Sequence, residues 1–199
     1  MRVGEPQLSA CRADALDKKL VIWQENRQFN LIIWFNEILI SLTMEVSNKV
    51  DITYKRLTEK ELDTFIQMRI NQLREEGATE DVDLIPYLQD YYKRHLADGT
   101  FVSWLALDGE KIVGTSGMSF VERPPIFSCP SGRLGILSSM FTNPNYRRMG
   151  IAKELLDRVV SEARNNGCGA VHITASDMGV KLYSAYGFVH NENFMQYKL

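Results

Sequence analysis

Residues 143–165 read NPNYRRMGIAKELLDRVVSEARN, and this stretch decides the fold. From Gly150 to Asn165 it is the clearest helix in the chain. Ile151, Leu155, Leu156, Val159, Val160 and Ala163 recur at helical spacing and make one apolar face. Asn166-Gly167 stops it. Ahead of it, Leu134 to Thr142 is an apolar strand candidate, ended by Asn143-Pro144-Asn145. A helix that opens after a strand and a turn points its free N–H groups into the turn. Its dipole adds partial positive charge there, and Arg147 and Arg148 add full charges. Gly150 has no Cβ, so a ligand can approach its backbone closely. Together these predict an anion site fit for a phosphate or pyrophosphate. Taken alone, the fragment reads equally well as an ordinary basic turn with a helix-start glycine. It is no Walker loop, since Gly-Lys-Ser/Thr is missing, and the three-glycine dinucleotide pattern is missing too.

Outward from this unit the patterns stay regular. Asp51 to Lys55 alternates and predicts a strand. Thr58 followed by Glu61 is a capping box, and Leu62, Phe65, Ile66, Ile70 and Leu73 follow at helical spacing up to Gly77. Pro86 opens a second helix that runs to about Ala97. Phe101–Leu107 and Lys111–Val121 read as strands joined by a hairpin turn at Asp108-Gly109. Residues 123–133, RPPIFSCPSGR, form a loop. Ala170–Ala175 is a short buried strand, Met178–Tyr186 a short helix with Gly187 as its C-cap, and Phe188–Leu199 strand-like. The order βααβββαβαβ predicts an α/β fold around a mixed sheet.

The 199 residues suit one domain with an appendage. Lys and Arg total 23 against 25 Asp and Glu, a near-balance that argues against gripping nucleic acid. The three cysteines, Cys11, Cys129 and Cys168, make neither a zinc pattern nor a disulfide framework, so no metal is expected and a reducing compartment is. Cys129 has no basic partner nearby in sequence and is assigned no role. The most apolar run, Leu31 to Ile40, is broken by Asn36 and Glu37 and is too short to span a membrane. No apolar run follows the N-terminus closely enough for a signal peptide. The chain therefore reads as cytoplasmic. Residues 1–43 differ from the rest, with Trp23, Phe29, Trp34 and Phe35 in their second half. Two readings stand: an accessory or upstream-translated segment ahead of a natural start at Met44, or an amphipathic helix covering the domain or a partner.

Arg147-Arg148-Met149-Gly150-Ile151-Ala152 resembles the acyl-CoA signature Gln/Arg-x-x-Gly-x-Gly/Ala of the GCN5-related N-acetyltransferase (GNAT) superfamily. Leu182-Tyr183-Ser184-Ala185-Tyr186-Gly187-Phe188 matches the short helix that typically carries Leu-Tyr and ends in Gly-Phe in its members. The resemblance covers residues 51–199 and makes 44–199 the acetyltransferase domain. It implies a mixed, twisted sheet flanked by helices and splayed at the acyl-CoA site. It implies acetyl-CoA as donor and a primary amine as acceptor. A small molecule is the default acceptor, no nucleic acid or membrane partner is expected, and a homodimer is left open.

By position, the resemblance places backbone groups of Met140 and Thr142 along the pantetheine arm. The Met140 N–H would face the thioester oxygen. The N–H groups of Arg148, Met149, Gly150, Ile151 and Ala152 would cradle the pyrophosphate. Tyr183 stands where relatives place a phenol near the sulfur, as general acid. Ser176 replaces an Asn common in relatives. The strand Glu that some relatives use as a base is Ile136 here, so Glu122 is the leading substitute. Its plainer reading is a solvated strand-end carboxylate. Transfer of the amine proton to water would need no residue. The lack of a base also keeps a second reading alive: a non-catalytic acyl-CoA-binding module of the same fold.

Overall fold

The computed structural model describes residues 50–190 and 195–197. The expectations for residues 1–43 lie outside the described residues. The elements are β1 (Ile52–Arg56), a 3-10 turn (Glu59–Glu61), α1 (Leu62–Glu75), α2 (Ile85–Ala97), β2 (Phe101–Asp108) and β3 (Lys111–Glu122). Then follow β4 (Arg133–Thr142), a 3-10 turn (Pro144–Tyr146), α3 (Ile151–Asn165), β5 (Ala170–His172) and α4 (Asp177–Tyr186). The capping box forms: Thr58 N–H donates to Glu61 at 3.2 Å, and the two side chains bond at 2.6 Å.

The five strands lie in the order β1-β2-β3-β4-β5. All neighbours are antiparallel except β4 and β5, so the sheet is mixed. Strand side chains alternate between faces. On β2, Phe101, Leu105 and Leu107 pack with Phe65, Ile66 and Tyr92 from α1 and α2. Ala106, between them, turns to the other face and packs with Ile151 and Leu155 of α3. Helix α3 seats closely because β3 has Gly114 there. A Cβ at Gly114 would stand 3.0 Å from Ile151 and 3.1 Å from Leu155. Burying Leu155, Leu156 and Val159 contributes about 1.5–3 kcal/mol each. At the outer edge of this layer the Trp104 indole N–H donates to Glu162 at 3.0 Å, and Arg158 stacks on the rings of Trp104 and Tyr54.

Two expectations are corrected. β5 ends at His172, short of Ala175. Its pairing with β4 covers only Leu134–Ile136, and a strand without a partner has nothing to extend it. Phe188–His190 form no strand. Gly187 caps α4 in left-handed backbone, and Phe188 N–H turns back to the Tyr183 carbonyl at 2.9 Å. Its ring then packs on Tyr183 and Tyr186. The rest of that expected strand is 191–199; Met195–Tyr197 are not strand, and the others lie outside the described residues. No helix among the described residues is long and apolar enough to cross a membrane.

Candidate active site

β4 loses its β5 neighbour after Ile136. Its edge from Leu137 to Thr142 therefore faces an opening on that side, while β3 still pairs on the other. Within this open stretch the register to β3 slips. Gly117 pairs with Ser138 and Thr115 with Phe141, so Ser139 and Met140 together oppose Ser116. This is a β-bulge, which leaves one residue out of the ladder and re-aims the chain. Ser139 takes φ 52, left-handed backbone. The Thr115 hydroxyl donates to its carbonyl at 2.8 Å, and its own hydroxyl meets that of Tyr92 at 3.2 Å.

The open edge leads to the turn ahead of α3. Arg148 at φ 67 and Gly150 at φ 83 both take left-handed backbone, which folds the turn tightly. No Cβ at Gly150 would meet anything within 4 Å, so its backbone is open to a ligand. Among the described residues, the N–H groups of residues 148–152 donate to no backbone partner. Free N–H groups at a helix start, with the α3 dipole behind them, suit an anion. Ile151 is buried in the core and Met149 is half exposed.

Arg147 is used differently from the free charge expected of it. Its Nε donates to the Thr142 carbonyl at 3.0 Å, and its guanidinium pairs with Glu75 at the end of α1. It ties the turn to β4 and α1. Arg148 remains exposed. Ser176 is the N-cap of α4, where its carbonyl accepts from Gly179 and Val180.

Tyr183 projects from α4 into the cluster of Met118, Leu137 and Leu156 and is only 7 % exposed. Burial, with the Glu76 carboxylate as a lesser cause, pushes its phenol up to about 12. The neutral, proton-bearing form is thus the stable one. Gly179 makes room for the ring, since a Cβ there would stand 2.6 Å from Tyr183 Cε2.

Glu122 is not brought to this place. It ends β3 opposite Arg133, with its side chain 78 % exposed and 3.5 Å from that guanidinium. The bulge lies about 20 Å further along β4 at ~3.3 Å per residue. Its geometry is that of a solvated strand-end carboxylate. Sequence reasoning also missed Ser139, Thr115 and Tyr92. Tyr92 is buried, and its hydroxyl reaches the bulge. Among the described residues, no three His, Cys, Asp or Glu side chains gather as metal ligands would.

The profile of the acetyltransferase (GNAT) family matches residues 62–188, from the start of α1 to the end of the α4 cap. The chain belongs to this family. Rat N-acetyltransferase 8B is 35% identical over 105 residues, 51% of this chain and 45% of that protein. The chain thus spans about half the length of that relative. The aminoglycoside N(6')-acetyltransferase type 1 of Salmonella typhimurium is 26% identical over 114 residues, 52% of this chain and 78% of that protein. Among solved structures, a predicted acetyltransferase with acetyl-CoA from Clostridium acetobutylicum superposes with a TM-score of 0.72 at 29% identity. That match covers 74% of this chain and 96% of the other. Among the described residues, the sheet opens between β4 and β5 beyond Ile136.

Proposed function

We propose that the protein is an N-acetyltransferase that moves an acetyl group from acetyl-CoA directly to a primary amine of a small molecule. One observation carries this reading. The open edge of β4 runs from the Ser139 bulge to the unpartnered N–H groups of residues 148–152. An extended pantetheine arm fits such an edge as an added strand would. The donors at its end fit a pyrophosphate. The Clostridium acetobutylicum structure, which holds acetyl-CoA, and the aminoglycoside acetyltransferases among the relatives support the donor and the acceptor class.

The chemistry asks little more. Acetyl-CoA supplies the activated acetyl group. Met140 N–H offers a donor to the charge that develops on the thioester oxygen. The neutral Tyr183 phenol holds the proton that the departing sulfur needs. Neither Ile136 nor Glu122 supplies a base at the bulge, so the amine proton goes to water. That missing carboxylate favours one other reading, a non-catalytic acyl-CoA-binding module.

A panel of amines incubated with acetyl-CoA, read by release of free thiol, tests the proposal. Thiol released in step with acetylated amine supports it. Acetyl-CoA that binds and is never turned over, across small-molecule, peptide and polyamine acceptors, would leave the binding module standing instead.

A further inference from the structure

Ser139 holds left-handed backbone that suits glycine better than a residue with a Cβ. Two side chains from different elements keep it there. Thr115 of β3 donates to its carbonyl at 2.8 Å, and Tyr92 of α2 bonds its hydroxyl at 3.2 Å. All three residues are buried. The Tyr92 ring is itself wedged between Phe65 and Phe101, each with its centroid 4.9 Å away. Phe101 can lie there because Gly117 leaves space; a Cβ at Gly117 would stand 2.7 Å from Phe101 Cζ.

The Ser139 carbonyl and the Met140 N–H belong to one planar peptide unit, and the described peptides are all trans. In a trans unit the two bonds point in opposite directions. Fixing the carbonyl on Thr115 therefore fixes the N–H to point away from Thr115. We propose that Thr115 and Tyr92 are positioning residues that clamp the Ser139–Met140 peptide so that its N–H is held on the acyl oxygen. This rests on the reading that acetyl-CoA lies along the open β4 edge. Tyr92 also makes α2 part of the device. That helix then reaches the bulge residue itself through one hydroxyl.

The test uses acetyl-CoA labelled with 13C at the carbonyl, bound to the full chain, and reads the carbonyl stretch by infrared difference spectroscopy. In wild type the band should fall in frequency on binding. Tyr92→Phe and Thr115→Val should each lose much of that fall, and kcat should drop by about tenfold or more. The KM for acetyl-CoA should change by no more than about twofold, since the arm and pyrophosphate contacts persist. Thr115→Ser keeps the donor and should restore both band and kcat. Tyr91→Phe is the control. Its hydroxyl bonds Ser119, outside the bulge, and its loss should change neither. A folded Tyr92→Phe and Thr115→Val with wild-type band and kcat overturn the clamp. So does a fall in kcat with an unmoved band. If Tyr92→Phe fails to fold, the Thr115→Val and Thr115→Ser pair decides alone. Wild type that binds no acetyl-CoA overturns the functional reading itself, and the clamp with it.

Discussion

Tyr183 is where one side chain separates an enzyme from a binder. Tyr183→Phe keeps the ring and its packing on Phe188 and removes only the proton. It should lower kcat by roughly the 10²–10⁴-fold of one acid–base group, with acetyl-CoA affinity nearly unchanged. The sign of the pH effect follows from burial. A free phenol ionises near pH 10, whereas this one holds its proton until about 12. Wild-type kcat/KM should rise with pH as the acceptor amine deprotonates, with no fall from Tyr183 until pH nears about 12. An alkaline fall starting near pH 9 that Tyr183→Phe abolishes would show the phenol to be less buried than it is here. Gly150 is the second decisive residue. Gly150→Glu puts negative charge where an anion is expected and forces a side chain into φ 83. Acetyl-CoA should raise the melting temperature of wild type, since it binds the native state alone, and should not raise that of the variant. An equal shift in both would move the anion site elsewhere.

Loop and strand meet at a contact that can be read by a pair of substitutions. Cys129 is buried against Gly169, where a Cβ would stand 2.6 Å from its sulfur and 3.4 Å from its Cβ. Gly169→Ala should therefore cost about 1–3 kcal/mol by overpacking. In a Cys129→Ala background the same change should cost much less, because the offending atom is gone. Denaturant unfolding of the four proteins gives the coupling; strict additivity would show that the loop moves freely away. The same distinction between local and distant explains what was legible. α3 was readable end to end because its face, its glycine and its stop are all local. The length of β5 was not, because a strand ends where its partner leaves, and β4 leaves after Ile136. The bulge was invisible for a related reason. Leu137-Ser138-Ser139-Met140 alternates acceptably on paper, and only the slip against β3 shows that it does not alternate in space. Arg147 lies 72 residues from Glu75, so nothing in its own turn announced their pairing. Glu122 was chosen for being a carboxylate at a strand end, and it sits at the wrong end.

For the molecule as a whole, every described element begins at Ile52 or later. A chain cut to residues 44–199 should fold cooperatively, and acetyl-CoA should raise its melting temperature as much as it raises that of the full chain. A truncated chain that aggregates or binds nothing would make residues 1–43 part of the domain. The order of elements and the mixed sheet were open to reading because hydrophobic period and turn residues are short-range. The acceptor was not, because a loop such as 123–133 follows no period, and its chemistry depends on what it surrounds.

Trp104 gives that truncated chain an optical property. Three tryptophans occur in the sequence, and the other two, Trp23 and Trp34, fall before residue 44. Cut at Met44, the protein carries a single indole, bonded to Glu162 and stacked under Arg158. Its emission would report one event, the seating of α3 on β2. A red shift at the same denaturant concentration as the loss of helical circular dichroism would mark α3 docking and helix formation as one transition.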